Sequence, residues 1–303
     1  MTFAPLTRFI TNFRAAFALL QKNDPLRLAG ATAFFANFAI PPILIILIRL
    51  FGFFMDRKTF ARRLFERLAE ILDESSIEQI RNTLENIRKV DQNWIATMIS
   101  FVFFLFVATT LFSVIKSSMD QIWSIGIKPH SSFMFKLKLR ARSMVIIVLA
   151  GFLFTVGLLT DSIQAFIGGY INESAPNFGR FLLAVLNQIL FIAIVTTWFT
   201  VLFRFLTNGR PSWKTALIGG TLTGILFTLG KYILRIMLPL SNIGSIYGTS
   251  GSVILIMLFI FYSSMIFYFG ACFVRVVSNA NESPIRPIKG AFIYELKEVE
   301  KSV

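Results

Sequence analysis

Residues 250–275 read SGSVILIMLFIFYSSMIFYFGACFVR, and no charged side chain appears before Arg275. A hydrocarbon core about 30 Å thick is crossed by about 20 apolar helical residues. This run is long enough. In water a segment apolar on every face needs cover on every face. In lipid a helix satisfies all of its own backbone polar groups, and the side chains can face acyl chains.

The rest of the chain agrees. Of 303 residues, 55% are hydrophobic and 15% are charged, against about 25% charged in a soluble domain. Phenylalanine alone occurs 35 times, and the mean hydropathy is +0.69. The formal net charge is +14. In a soluble protein that would suggest nucleic acid; here the basic residues mostly flank apolar runs, which is what sets orientation in a membrane. The reading is an all-α, polytopic membrane protein without a nucleic-acid partner. No signal peptide is evident, because Arg8 and Arg14 interrupt the first twenty residues.

About six spans are expected, at 29–54, 94–115, 143–167, 181–206, 215–238 and 250–275. Lys and Arg concentrate before span one, after spans two and four, and after span six. Both termini are therefore expected in the cytoplasm of a bacterial inner membrane, with the alternate loops outside. The exception is 56–93, which parity places outside although it holds eight basic and eight acidic residues. Its apolar residues recur helically as Phe60, Leu64, Leu68 and Leu72, then Ile77, Ile80, Leu84 and Ile87. Ser75 followed by Glu78 has the spacing of a capping box. The segment reads as an extracytoplasmic pair of amphipathic helices, resting on the membrane surface or packed on the bundle. Residues 6–22 read as an N-terminal interfacial helix. The expected organisation is one helical membrane domain over 1–276, with 56–93 as an insertion, and a partly disordered polar tail over 277–303.

Charges inside the spans are the candidate site residues. Lys231 and Arg235 lie four apart, on one helical face. Lys231 is about 24 Å along the helix from residue 215, and Asp161 is about 26 Å beyond residue 144. Both spans run outward, so acid and cation fall at similar depth. Intramembrane charges find a partner or water, and Asp161 is expected to approach Lys231 or Arg235. Arg49 lies near the outer end of span one. Together they give the outer half an excess of positive charge. Either an anion-attracting cavity opens to the outside there, or Arg49 and Arg235 snorkel while one ion pair fixes packing. The run 239–250 follows Pro239 and carries Tyr247; it is an outer turn or a loop dipping toward that cavity. Nearer the cytoplasm, Lys116 and Asp120 are expected to pair locally and Arg204 to snorkel. Pro41 and Pro42 predict a kink or break in span one. Ala216, Gly220 and Gly224 form a small-residue stripe for close helix contact.

Enzyme chemistry finds little footing. His130 and Cys272 stand alone in their types, no phosphate-cradling glycine motif is followed by its lysine, and no cofactor is implied.

Three segments resemble the YihY family of bacterial inner-membrane proteins, which includes the virulence factor BrkB. They are LAGATAFFANFAIPPILIIL in span one, LFSVIKSSMDQIW ending span two, and SIYGTSGSVILIMLFIFYSSMIFYFGACF around span six. The resemblance implies about six helices with cytoplasmic termini. It also carries an older label, a tRNA-processing ribonuclease, which the lack of a carboxylate or metal-ligand set argues against. The family implies a transporter or envelope protein, with movement of lipids or lipopolysaccharide precursors among the suggestions. The expectation is therefore a non-enzymatic, transporter-like protein that moves or presents an anionic or amphipathic molecule beside Lys231, Arg235, Asp161, Arg49 and Tyr247, with membrane lipids as partners. A non-transporting envelope scaffold is the alternative.

Overall fold

A computed structural model describes residues 4–51, 56–69, 72, 74–89, 94–127, 149, 152, 176–240, 247 and 251–295. Eight helices are described: α1 Ala4–Lys22, α2 Pro25–Phe51, α3 Arg57–Ala69, α4 Glu74–Lys89, α5 Trp94–Ile122, α6 Pro176–Phe205, α7 Trp213–Leu240 and α8 Gly251–Ala280. Among the described residues, four helices are long and apolar enough to cross a membrane: Pro25–Arg49, Gln188–Phe205, Trp213–Met237 and Gly251–Ala280. The second expected span is covered by α5, a 29-residue helix. The third, 143–167, lies outside the described residues.

Helix α8 is central, packing against α1, α2 and α7. Much of the phenylalanine is spent here. Phe203 on α6 stacks on Phe267 of α8 with ring centroids 5.2 Å apart, and Phe199 meets Phe227 of α7 edge-on at 5.8 Å. Such ring pairs add to the dispersion that holds helices together where lipid offers no hydrophobic drive. Buried threonines return their hydroxyls to the carbonyl four residues back, as Thr32 does to Leu28 at 3.0 Å and Thr228 to Gly224 at 2.8 Å. These hydroxyls are satisfied within their own helices.

The small-residue stripe does what its spacing implies. Gly220 and Gly224 of α7 lie against Thr196 and Thr200 of α6, so closely that a methyl group on Gly224 would come 2.8 Å from the Thr196 hydroxyl. Of the kink or break expected at Pro41 and Pro42, a break does not occur, since α2 continues through both residues to Phe51. Their missing donors are tolerable because neighbouring helices support the backbone around them.

At the far end from the termini, α3 and α4 form the amphipathic pair. Their apolar faces are consumed by the bundle: Phe60, Leu64, Ile80 and Leu84 are buried in one cluster with Leu47 and Phe51 of α2. Ser76 donates to the Ser252 carbonyl at 3.2 Å, fixing α4 to the start of α8. The capping box expected at Ser75 is displaced, because α4 already begins at Glu74 and Ser75 lies inside it. An Asp56 cap opens α3: its Oδ2 accepts from the Thr59 amide at 2.9 Å and the Thr59 hydroxyl at 3.0 Å. These donors favour the carboxylate and hold the Asp56 carboxyl below its ordinary value. Because the folded value is the lower one, the cap contributes above the ordinary aspartate range and is lost as pH falls through the lowered value. Amide exchange at Thr59 and Phe60, corrected for its intrinsic pH dependence, is expected to lose protection in that acid window and not at neutral pH.

At the end that carries the termini, polar contacts join several elements. Here α1 lies along α8, with Phe13 meeting Phe269 at 4.9 Å and Arg8 donating to the Ala280 carbonyl at 2.7 Å. Its Phe17 remains half exposed, as an interfacial helix requires. Part of the tail, for which partial disorder is expected, takes part in two short sheets, and 296–303 lie outside the described residues. Residues Arg286–Pro287 (β3) pair with Gly209–Arg210 (β2), and Ala291–Ile293 (β4) with Ile125–Ile127 (β1), both antiparallel. The residues that directly follow α5 and α6 thus provide the edges on which the tail settles.

Candidate functional site

Helix α7 is built to carry a cation deep into the bundle. Ser212 caps it, its hydroxyl accepting from the Thr215 amide at 3.2 Å. The glycine stripe then holds the helix against α6. Lys231 follows, about 27 Å along the axis from Trp213. It is only 9% exposed. Its Nζ sits 4.0 Å from the centroid of the Phe191 ring on α6 and 5.5 Å from the Tyr232 ring. The Tyr232 hydroxyl donates to Gln188 Oε1 at 2.8 Å, so two residues of α6 one turn apart attend this stretch of α7. A ring face attracts the ammonium by about 2 kcal/mol when desolvated, which is less than the several kcal/mol that burying an ion costs.

The other expected members of the site lie elsewhere. Arg235 is exposed, so the shared helical face divides into a buried Lys231 and an outward Arg235. Arg49 is exposed in the last turn of α2, and Tyr247 is exposed as well. Asp161 and its expected approach to the cations lie outside the described residues.

A second polar assembly was not foreseen from sequence. Asp120, near the end of α5, is buried, and both of its carboxylate oxygens accept from Asn208: Oδ1 from the backbone amide at 3.0 Å and Oδ2 from the side-chain amide at 2.6 Å. The turn after α6 presents it with these two donors. The Asn208 carbonyl in turn accepts from the Ile288 amide of the tail at 2.8 Å. Trp123 Nε1 donates to the Ala271 carbonyl of α8 at 2.9 Å, and Arg275 reaches the Ile122 carbonyl and the Ser124 hydroxyl. One turn deeper, the Tyr268 hydroxyl of α8 shares a 2.5 Å hydrogen bond with Thr32 of α2. Arg204, expected to snorkel, reaches past the end of α6 to the Pro211 carbonyl, with its guanidinium 5.3 Å from the centre of the Trp213 ring. The available signal was a lone acid ending one span and an Asn-Gly pair ending another.

Apolar spans, buried hydroxyls returned to their own helices, and polar ends joined by short loops define a polytopic α-helical membrane protein. The chain belongs to the virulence factor BrkB family, whose model matches residues 16–290. A UPF0761 membrane protein of Psychromonas ingrahamii is 26% identical over 252 residues, covering 80% of this chain and 79% of that protein. A second UPF0761 membrane protein, from Mannheimia succiniciproducens, is 22% identical over 285 residues, covering 90% and 92%. No solved structure matches the chain.

Proposed function

We propose that this is a transporter-like protein of the bacterial inner membrane, with cytoplasmic termini, that moves or presents an anionic or amphipathic molecule such as a lipid or a lipid-linked envelope precursor. The observation that supports the reading is the burial of Lys231 within a spanning helix. Ionisable groups inside membranes are expensive and are kept where they serve a path or a ligand. The aromatic neighbour Phe191 softens that cost, and the buried Lys231 is the cation that an arriving anion would meet. No nucleotide or cofactor enters this reading, and no bond is made or broken. The reading requires either passive movement or ion coupling, with Asp161 as the candidate proton or sodium site.

The test is flux in reconstituted vesicles, read with a fluorescent phosphatidylglycerol and with small organic anions. Lys231→Met keeps the length and apolar stem of the side chain and is expected to slow flux at least tenfold while leaving thermal unfolding unchanged. Lys231→Arg keeps the charge and retains part of the rate. Equal flux in the Met variant removes Lys231 from the path, and a wild-type chain that moves neither probe class removes the transport reading.

A scaffold role is the second reading. It is favoured by the firm seating of α4 on α8 through Ser76 and Ser252, which leaves the polar face of the outer pair turned away from the bundle.

A further inference from the structure

Helix α3 has an unusual division of labour. Its sequence, RKTFARRLFERLA, holds five basic residues and one acid. An amphipathic helix at a membrane surface ordinarily buries its apolar face among acyl chains. Here that face is used up inside the protein, with Phe60 and Leu64 buried against α2 and α4. What α3 offers to its surroundings is charge: Arg57, Lys58 and Arg62 are exposed, and Arg62 makes a long surface ion pair with Glu66, 3.8 Å at 70% and 64% exposure. Such a pair holds its members weakly.

The position of the helix decides what that charge meets. Helix α2 crosses the membrane and ends at Phe51, and α3 starts six residues later. Phe60, in the first turn of α3, stacks on Phe51 with centroids 5.7 Å apart. The first turn of α3 therefore lies one ring from the end of a span, at the level of lipid head groups. The one exception to the loop-charge pattern, 56–93, is balanced as a whole at eight basic and eight acidic residues, and its local basic excess lies in α3.

We infer that the basic face of α3 is a docking surface for the phosphate head groups of anionic phospholipids in the membrane that holds the chain. The ligand chemistry is a phosphodiester presented in the bilayer plane, met by two guanidinium forks and an ammonium. The inference is independent of transport: a chain that moves nothing would bind the same lipids, so flux and binding fail separately.

The experiment uses the full chain in nanodiscs of phosphatidylcholine doped with a photoreactive phosphatidylglycerol or, in parallel, an equally photoreactive phosphatidylcholine. Adducts are mapped by peptide mass spectrometry. The expected result is labelling of residues 56–69 by the glycerol lipid, at least tenfold above the choline lipid, and falling as salt is added. Each basic residue near an anionic surface is worth about fivefold in affinity at low salt, so R57Q/K58Q/R62Q abolishes the preference and R57K/R62K keeps it. Should the triple variant unfold, the salt dependence of the wild-type adducts decides alone. Equal labelling by the two lipids, or a preference indifferent to salt, overturns the assignment.

Discussion

Replacing Asp120 with Ala is expected to be the most damaging single truncation among the polar side chains at the termini end. The carboxylate is buried, and it answers two donors of one residue, the backbone and side-chain amides of Asn208. Alanine leaves both donors facing apolar surroundings. Each buried donor without a partner costs about 1–3 kcal/mol, so the loss is about 2–6 kcal/mol, set against a total stability of about 5–15 kcal/mol. The damage would spread, because Asn208 also receives the Ile288 amide and so joins α5, the turn after α6, and the tail. Asp120→Asn separates the two contributions. An asparagine can still accept from the backbone amide, but its own NH2 competes with that of Asn208, and an intermediate loss is expected. Thermal unfolding in detergent, with exchange of the Ile288 and Tyr294 amides as a local probe, measures both variants. An alanine variant as stable as wild type would show that water substitutes for the carboxylate.

How much of this was legible beforehand follows from what each feature needs. Spans, the amphipathic pair and the glycine stripe are short-range patterns: a run of apolar residues, a helical repeat and a spacing of four each declare themselves within one element. The turn at Asn208 does not. Its partner Asp120 lies 88 positions away, and no periodicity connects the end of one span to the end of another. The tail shows the same limit. Its charge and prolines suggested partial disorder, whereas the pairing of Ala291–Ile293 with Ile125–Ile127 joins positions far apart in sequence and no local pattern announces it. Lys231 lies between these cases. Its depth could be counted along the helix, whereas its aromatic neighbour Phe191 depends on the α6–α7 packing.

That packing is the subject of the second large effect. Adding any side chain at Gly220 is expected to push α6 and α7 apart. A Cβ there would lie 2.9 Å from the Thr196 carbonyl oxygen and 2.9 Å from the Thr200 backbone nitrogen, besides striking the Thr200 hydroxyl. The hydroxyl has limited room to turn, since it is bonded to the Thr196 carbonyl at 2.7 Å, and the backbone atoms cannot move without moving the helix. Inserting atoms into so tight a contact costs about 1–3 kcal/mol for a methyl group, and Gly220→Leu is expected to exceed that and to fail to assemble. Gly30 supplies the control. A Cβ there meets nothing within 4 Å, so Gly30→Ala should be neutral or gain up to about 1 kcal/mol from helix propensity. The contrast isolates contact from propensity, because both glycines sit inside helices. The lesion also reaches the buried cation: Lys231 lies about 17 Å further along α7, and its ring partner belongs to α6. Separating the two helices withdraws Phe191 from the ammonium, so Gly220→Ala is expected to lower flux as well as stability even though it touches no charged group. Equal unfolding temperatures for Gly220→Ala and Gly30→Ala would show that the two helices are not held by this stripe.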